Sequence, residues 1–132
     1  MRISKAFPGT SGAIAAARLL TSSFLHGAGT GGGAVREDTV ERAVLVVSEL
    51  VTNSVRHTDG PCGVELLIDD GAVEISVWDT SSEAPVAMGP DPTRIGRHGM
   101  EIVAVLCGGF TVTRRRPGKR VSARLPLDAA GA

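Results

Sequence analysis

Tyrosine is absent from this chain of 132 residues, and the other aromatics amount to three Phe and one Trp. The core therefore has to be built from Val, Leu, Ile and Ala. No excess of charge exists either: Lys plus Arg number 14 and so do Asp plus Glu, so the net charge is zero. A general polyanion binder needs a basic face, so direct nucleic-acid binding is not expected. Only two cysteines occur, Cys62 and Cys107, outside any CxxC pair, and His57 and His98 form no ligand spacing with them. That excludes the common structural zinc motifs. No stretch approaches the ~18 consecutive apolar residues of a membrane span. The start, "MRISKAFPGTSGAIAAARLLTSSFL", is not a secretory signal, because Pro8, Gly9 and Arg18 interrupt its apolar run. Reduced thiols and a cytoplasmic location are the expectation. Finally, no GxxxxGK[ST] is present, so a P-loop is excluded as a motif.

What is present suits one domain over residues 1–132, since 42% hydrophobic and 21% charged residues are ordinary for a globular chain. Residues 2–8 read as a short edge strand stopped by Pro8 and Gly9, and about 11–25 as an amphipathic helix opened by Thr10 or Ser11. "HGAGTGGGA", 26–34, reads as a loop. It contains GxGxxG at Gly27, Gly29 and Gly32, but follows a helix rather than a strand, unlike a dinucleotide fingerprint. Val40, Val44, Val47, Val51 and Val55 then recur at helical spacing, with Asp38 or Thr39 as cap and an end near 57–60. Residues 63–79 form a hairpin about "DDG", 80–94 a loop with three prolines, and "HGMEIVAVLCG" a helix ended by glycine. Residues 110–127 make a second hairpin turning at Pro117–Gly118. Strands joined by tight turns are antiparallel, which gives an α+β two-layer sandwich: helices on one face of a mixed, mostly antiparallel sheet.

Chemistry concentrates at a few positions. In "SELVTNSVRHT", Glu49 and Asn53 lie one turn apart and point away from the valine face. That second face is either solvated or the wall of a cleft, where a carboxylate can act as a base and an amide oxygen can ligate a hard cation. Asp79 closes the apolar strand "EISVWD", either as a turn residue or as an acceptor for a ligand amine. "GRHGMEIV" puts Gly96 and Gly99 at a helix start, where backbone N–H groups bind phosphate. "RRRPGKR", 114–120, holds five basic residues in seven and reads as a solvated hairpin turn, with anion binding as the alternative.

In the same order and at similar spacing, "SELVTNSVRH", "VWD" and "GRHGMEIV" resemble the N box and the two glycine boxes of the GHKL (Bergerat-fold) ATPases. Within that superfamily the chain is similar to the small anti-sigma-factor serine/threonine kinases of actinobacterial type, over nearly its whole length. The resemblance implies the Bergerat ATP-binding fold, with ATP and Mg²⁺ as cofactors. It implies Asn53 as the Mg²⁺ ligand and Glu49 as general base toward a protein hydroxyl. It also implies Asp79 as acceptor of the adenine amino group, with Gly96, Arg97, His98 and Gly99 wrapping the phosphates. The implied partners are a sigma factor and a phosphorylatable anti-sigma-factor antagonist, exchanged by partner switching, and the implied assembly is a homodimer. Neither a membrane nor nucleic acid is an expected partner.

Two departures stand out. The first glycine box is usually Asp-x-Gly-x-Gly, whereas "DTSSE", 79–83, has neither glycine. Where a threonine pair often follows the glycine of the last strand, Lys119 and Arg120 follow Gly118. The alternative function is accordingly an ATPase-fold module of weak or no catalysis that sequesters a protein partner.

Overall fold

Five strands and three helices follow one another in a computed structural model that describes residues 1–10, 12–28, 35–57, 60–80, 99–115 and 118–127. They are β1 (Arg2–Phe7), α1 (Gly12–Ala28), α2 (Glu37–His57), β2 (Cys62–Asp69), β3 (Ala72–Asp79), α3 (Gly99–Cys107), β4 (Thr111–Arg114) and β5 (Lys119–Pro126). The sheet order is β1-β2-β3-β5-β4, and all four neighbouring pairs are antiparallel. The α+β sandwich expected from the sequence is the observed architecture. No helix is long and apolar enough to cross a membrane among the described residues.

Alternation sorts the sheet into two faces. On β3, Val73, Ile75, Val77 and Asp79 are all buried, and on β5 so are Lys119, Val121, Ala123 and Leu125. These side chains, with Cys62, Val64 and Leu66 of β2, form the face covered by the helices. The other face carries polar pairs such as Ser76 with Ser122, whose hydroxyls lie 2.8 Å apart across β3 and β5. Glu65 there accepts from Arg120 and pairs with Arg2. Trp78 lies flat over its cross-strand partner Gly63, where a Cβ would overlap the ring, and Arg115 stacks on Trp78 at 4.9 Å.

Helix α2 holds the middle of the helical layer, packing on α1, α3 and the sheet. Its valines lower helix propensity by about 0.5 kcal/mol each. Full burial returns roughly 1.5–2 kcal/mol per valine side chain, so packing decides the outcome. Val40, Val46, Val47 and Val51 are 0–2% exposed. The helix opens two residues before the expected cap: the Arg36 carbonyl accepts from the backbone of Thr39 and Val40, both at 3.0 Å. Asp38 thus sits inside the first turn, gripped by Arg36 at 3.1 and 3.2 Å. Helix α1 runs three residues past its expected end, to Ala28, and His26 near its terminus meets Glu37 at 3.0 Å. Residues 29–34 and 81–98, where the two glycine- and proline-rich loops were expected, lie outside the described residues apart from Thr80 and the 26–28 segment just placed in α1.

Candidate functional site

The two polar residues of α2 do not face open water. Glu49 and Asn53 are both half-buried. The closest approach is between Glu49 and the first residue of α3: a Cβ on Gly99 would overlap Glu49 Oε2. Glycine is therefore what admits the carboxylate to the start of α3. The position is electrostatically sound, because the unpaired N–H groups of a helix N-terminus favour negative charge. Glu49 and Gly99 are brought together in this way, with Asn53 one turn along α2 from Glu49.

Asp79 lies at the other end of the apolar strand β3, buried at 1% exposure on the helix-covered face. Its cross-strand partner in the β3–β5 ladder is Lys119. The Lys119 ammonium donates to both carboxylate oxygens, at 3.1 Å to Oδ1 and 2.9 Å to Oδ2. Both side chains are nearly sealed from solvent, 3% exposed for the lysine and 1% for the aspartate. Gly118, just before, has φ +98° and lies so close that a Cβ would overlap the Asp79 carbonyl oxygen. The turn of the second hairpin is thus clamped onto the end of β3. Cys62 belongs to the same neighbourhood: burial raises its thiol pKa, and the Asp79 charge raises it further.

Gly96, Arg97 and His98 lie outside the described residues, so the geometry here rests on Glu49, Asn53, Asp79 and Gly99. The basic hairpin is divided: Arg114 and Arg115 are exposed, as a solvated turn would have them, and Arg116 lies outside the described residues. Lys119 is spent on Asp79, Arg120 on Glu65 and Arg115 on Trp78. Of these three, Lys119 is buried, Arg120 is half-buried and Arg115 stays exposed.

Lys119 is the residue that sequence reasoning missed as a partner for Asp79. The signal was available: Lys119, Val121, Ala123 and Leu125 alternate, which puts the lysine on the same face as the core residues.

The α2–α3 contact and the end of β3 suit a magnesium nucleotide unequally. At the α2–α3 contact, a carboxylate, an oxygen donor of the kind Mg²⁺ takes, stands beside a helix N-terminus. No group of three or more His, Cys, Asp or Glu able to hold a metal exists among the described residues. At the Asp79 end, the acceptor expected for a base amine already holds an ammonium.

Comparison with known proteins supplies the family. The profile of the histidine kinase-like ATPase domain matches residues 7–125, and the chain belongs to that family. No curated protein matches. Among solved structures, the RsbU and RsbW domains of Rv1364c from Mycobacterium tuberculosis superpose with a TM-score of 0.69 at 20% identity, covering 96% of this chain and 32% of that one. The blue-light activated histidine kinase EL346 of Erythrobacter litoralis superposes at 0.54 with 22% identity, over 82% of this chain and 40% of that one. The histidine kinase domain of the same protein gives 0.50 at 26% identity, over 92% and 62%. The chain thus spans about a third of the length of the first of these structures and less than two thirds of the others.

Proposed function

From membership of the histidine kinase-like ATPase family, we propose that this chain binds Mg·ATP and phosphorylates serine or threonine on a regulatory protein partner. The observation that carries this reading is the seating of the Glu49 carboxylate against Gly99, with Asn53 one turn along the same helix. A polyphosphate approaching that helix start meets a carboxylate, so a divalent cation is required to neutralise the encounter. Asn53 supplies an amide oxygen to the cation. Glu49 accepts the proton of the attacking hydroxyl. In this reading Gly99, with Gly96, Arg97 and His98, would serve the phosphates, and Asp79 would serve the base. By family resemblance the partners are a sigma factor and an anti-sigma-factor antagonist. Phosphorylation would add about two negative charges to the antagonist and so dissociate it from this chain, probed most simply as a homodimer.

Calorimetric titration with ATP and Mg²⁺ tests the first step: binding is expected for the intact protein and a loss of about tenfold or more for Asn53→Ala. Phosphate transfer to a bound partner should then disappear in Glu49→Ala, and transfer that survives this change removes Glu49 as the base.

A second reading is favoured by the buried Asp79–Lys119 pair. In it the chain keeps the fold and acts by sequestering its partner, without catalysis. A pull-down that recovers the same proteins with and without Mg·ATP supports this reading, and nucleotide-dependent exchange of partners supports the kinase.

A further inference from the structure

We propose that Lys119 is an internal occupant of the base-recognition carboxylate, so that the cleft takes purine nucleoside triphosphates without selecting the 6-amino group of adenine. This rests on the nucleotide-binding reading above and specifies its base end.

The argument begins with donors and acceptors. A carboxylate recognises adenine by accepting a hydrogen bond from its amino group, a neutral donor. Asp79 instead holds an ammonium on both oxygens, at 3.1 and 2.9 Å. Hydrogen bonds between charged partners are roughly twice as strong as neutral ones. An incoming amine therefore does not displace Lys119 on equal terms. Burial strengthens this bias, because the pair is 1–3% exposed and separating it would leave a desolvated charge behind.

Backbone movement offers little relief. Lys119 faces Asp79 directly in the β3–β5 register, and the preceding Gly118 lies against the Asp79 carbonyl. Rotation of the lysine side chain is needed to remove the ammonium from the carboxylate. With the anchor occupied, a base bearing a carbonyl at the 6-position loses nothing relative to adenine. The ammonium has three N–H donors, of which Asp79 engages two, and the third suits a carbonyl oxygen.

The test compares ATP with inosine triphosphate, which replaces the amine by a carbonyl, each titrated with Mg²⁺ into the wild type and into Lys119→Met. Wild-type affinities for the two nucleotides are expected within about threefold of each other. In Lys119→Met, ATP affinity should rise about tenfold or more while that for inosine triphosphate falls, since its carbonyl loses the ammonium donor and meets a freed buried acceptor. A wild-type preference for ATP of about tenfold overturns the proposal and leaves nucleotide binding intact. So does a folded Lys119→Met that binds ATP no tighter. Failure of both nucleotides to bind either protein overturns the nucleotide reading and this proposal together. Where Lys119→Met fails to fold, the wild-type ratio decides alone.

Discussion

The two ends of the cleft differ in what holds them. At the α2–α3 end, the close contact is between the tip of a flexible glutamate and a glycine. At the β3–β5 end, a buried ion pair is flanked by backbone packed on backbone. The first arrangement yields when a ligand arrives, because Glu49 has other rotamers. The second is part of the folded core. Sequence motifs weight Glu49, Asn53 and Asp79 alike, yet the chain uses the aspartate structurally as well.

The largest break in this comparison comes from Asp79→Ala. Removing one partner leaves the Lys119 ammonium buried and unpaired, which costs about 3–5 kcal/mol. For a chain of this size the melting temperature should fall by on the order of 10–20 °C. Asn53→Ala, at the adaptable end, should cost less than about 1 kcal/mol. Thermal denaturation of the two variants side by side checks the contrast. Equal losses would mean that the Asp79 end is no more structural than the other.

Paired glycine substitutions sharpen the same contrast at smaller amplitude. Gly118→Ala meets both a φ of +98° and the Asp79 carbonyl, neither of which can move cheaply, so a loss of about 2–4 kcal/mol is expected. Gly99→Ala meets chiefly the Glu49 carboxylate, which can swing away, and the Glu49 Cβ at 3.3 Å, which has to give slightly. Its stability should change by less than about 1 kcal/mol, since alanine also favours the helix. Displacing Glu49 from the start of α3 should nevertheless weaken any Mg·ATP response. Urea denaturation combined with nucleotide titration separates the two kinds of glycine.

Much of this arrangement was legible in the sequence because it follows from periodicity. The valines of α2, the apolar alternation in β3 and β5, and the glycines and prolines between elements placed the elements within a few residues. The misplacements have local causes. Helix α2 begins at Glu37 because the Arg36 carbonyl opens it, with Asp38 engaged by Arg36 inside the first turn. Partnership was harder to see. "GKR" looks like a turn with two surplus cations, and its meaning depends on which residue of β3 lies opposite each one. Counting from the turn sets Lys119 against Asp79 and Arg120 against Trp78. Similarly, the helical wheel turns Glu49 and Asn53 away from the valines, but that Glu49 meets the start of α3 is a tertiary fact.

The smallest expected effect lies on the outer face, where Arg120 makes a pair far less buried than its neighbour's. Lys119 and Arg120 are adjacent, yet one points into the core and the other toward solvent, and Arg120 and Glu65 remain 32% and 20% exposed. The Arg120 hydrogen bond holds the Glu65 carboxyl below its ordinary 4.5, against partial desolvation, with help from the charges of Arg120 and Arg2. A lowered folded pKa means that the unfolded chain binds the proton more readily. The stabilisation is therefore complete above pH 4.5 and is lost as the pH falls through the lower folded value. Solvent screening keeps it small, about 0.5 kcal/mol. Arg120→Met should reduce stability by that amount at neutral pH, and the difference from wild type should fade on acidification. If the gap instead matches that of Asp79→Ala, burial is not what separates these two neighbouring cations.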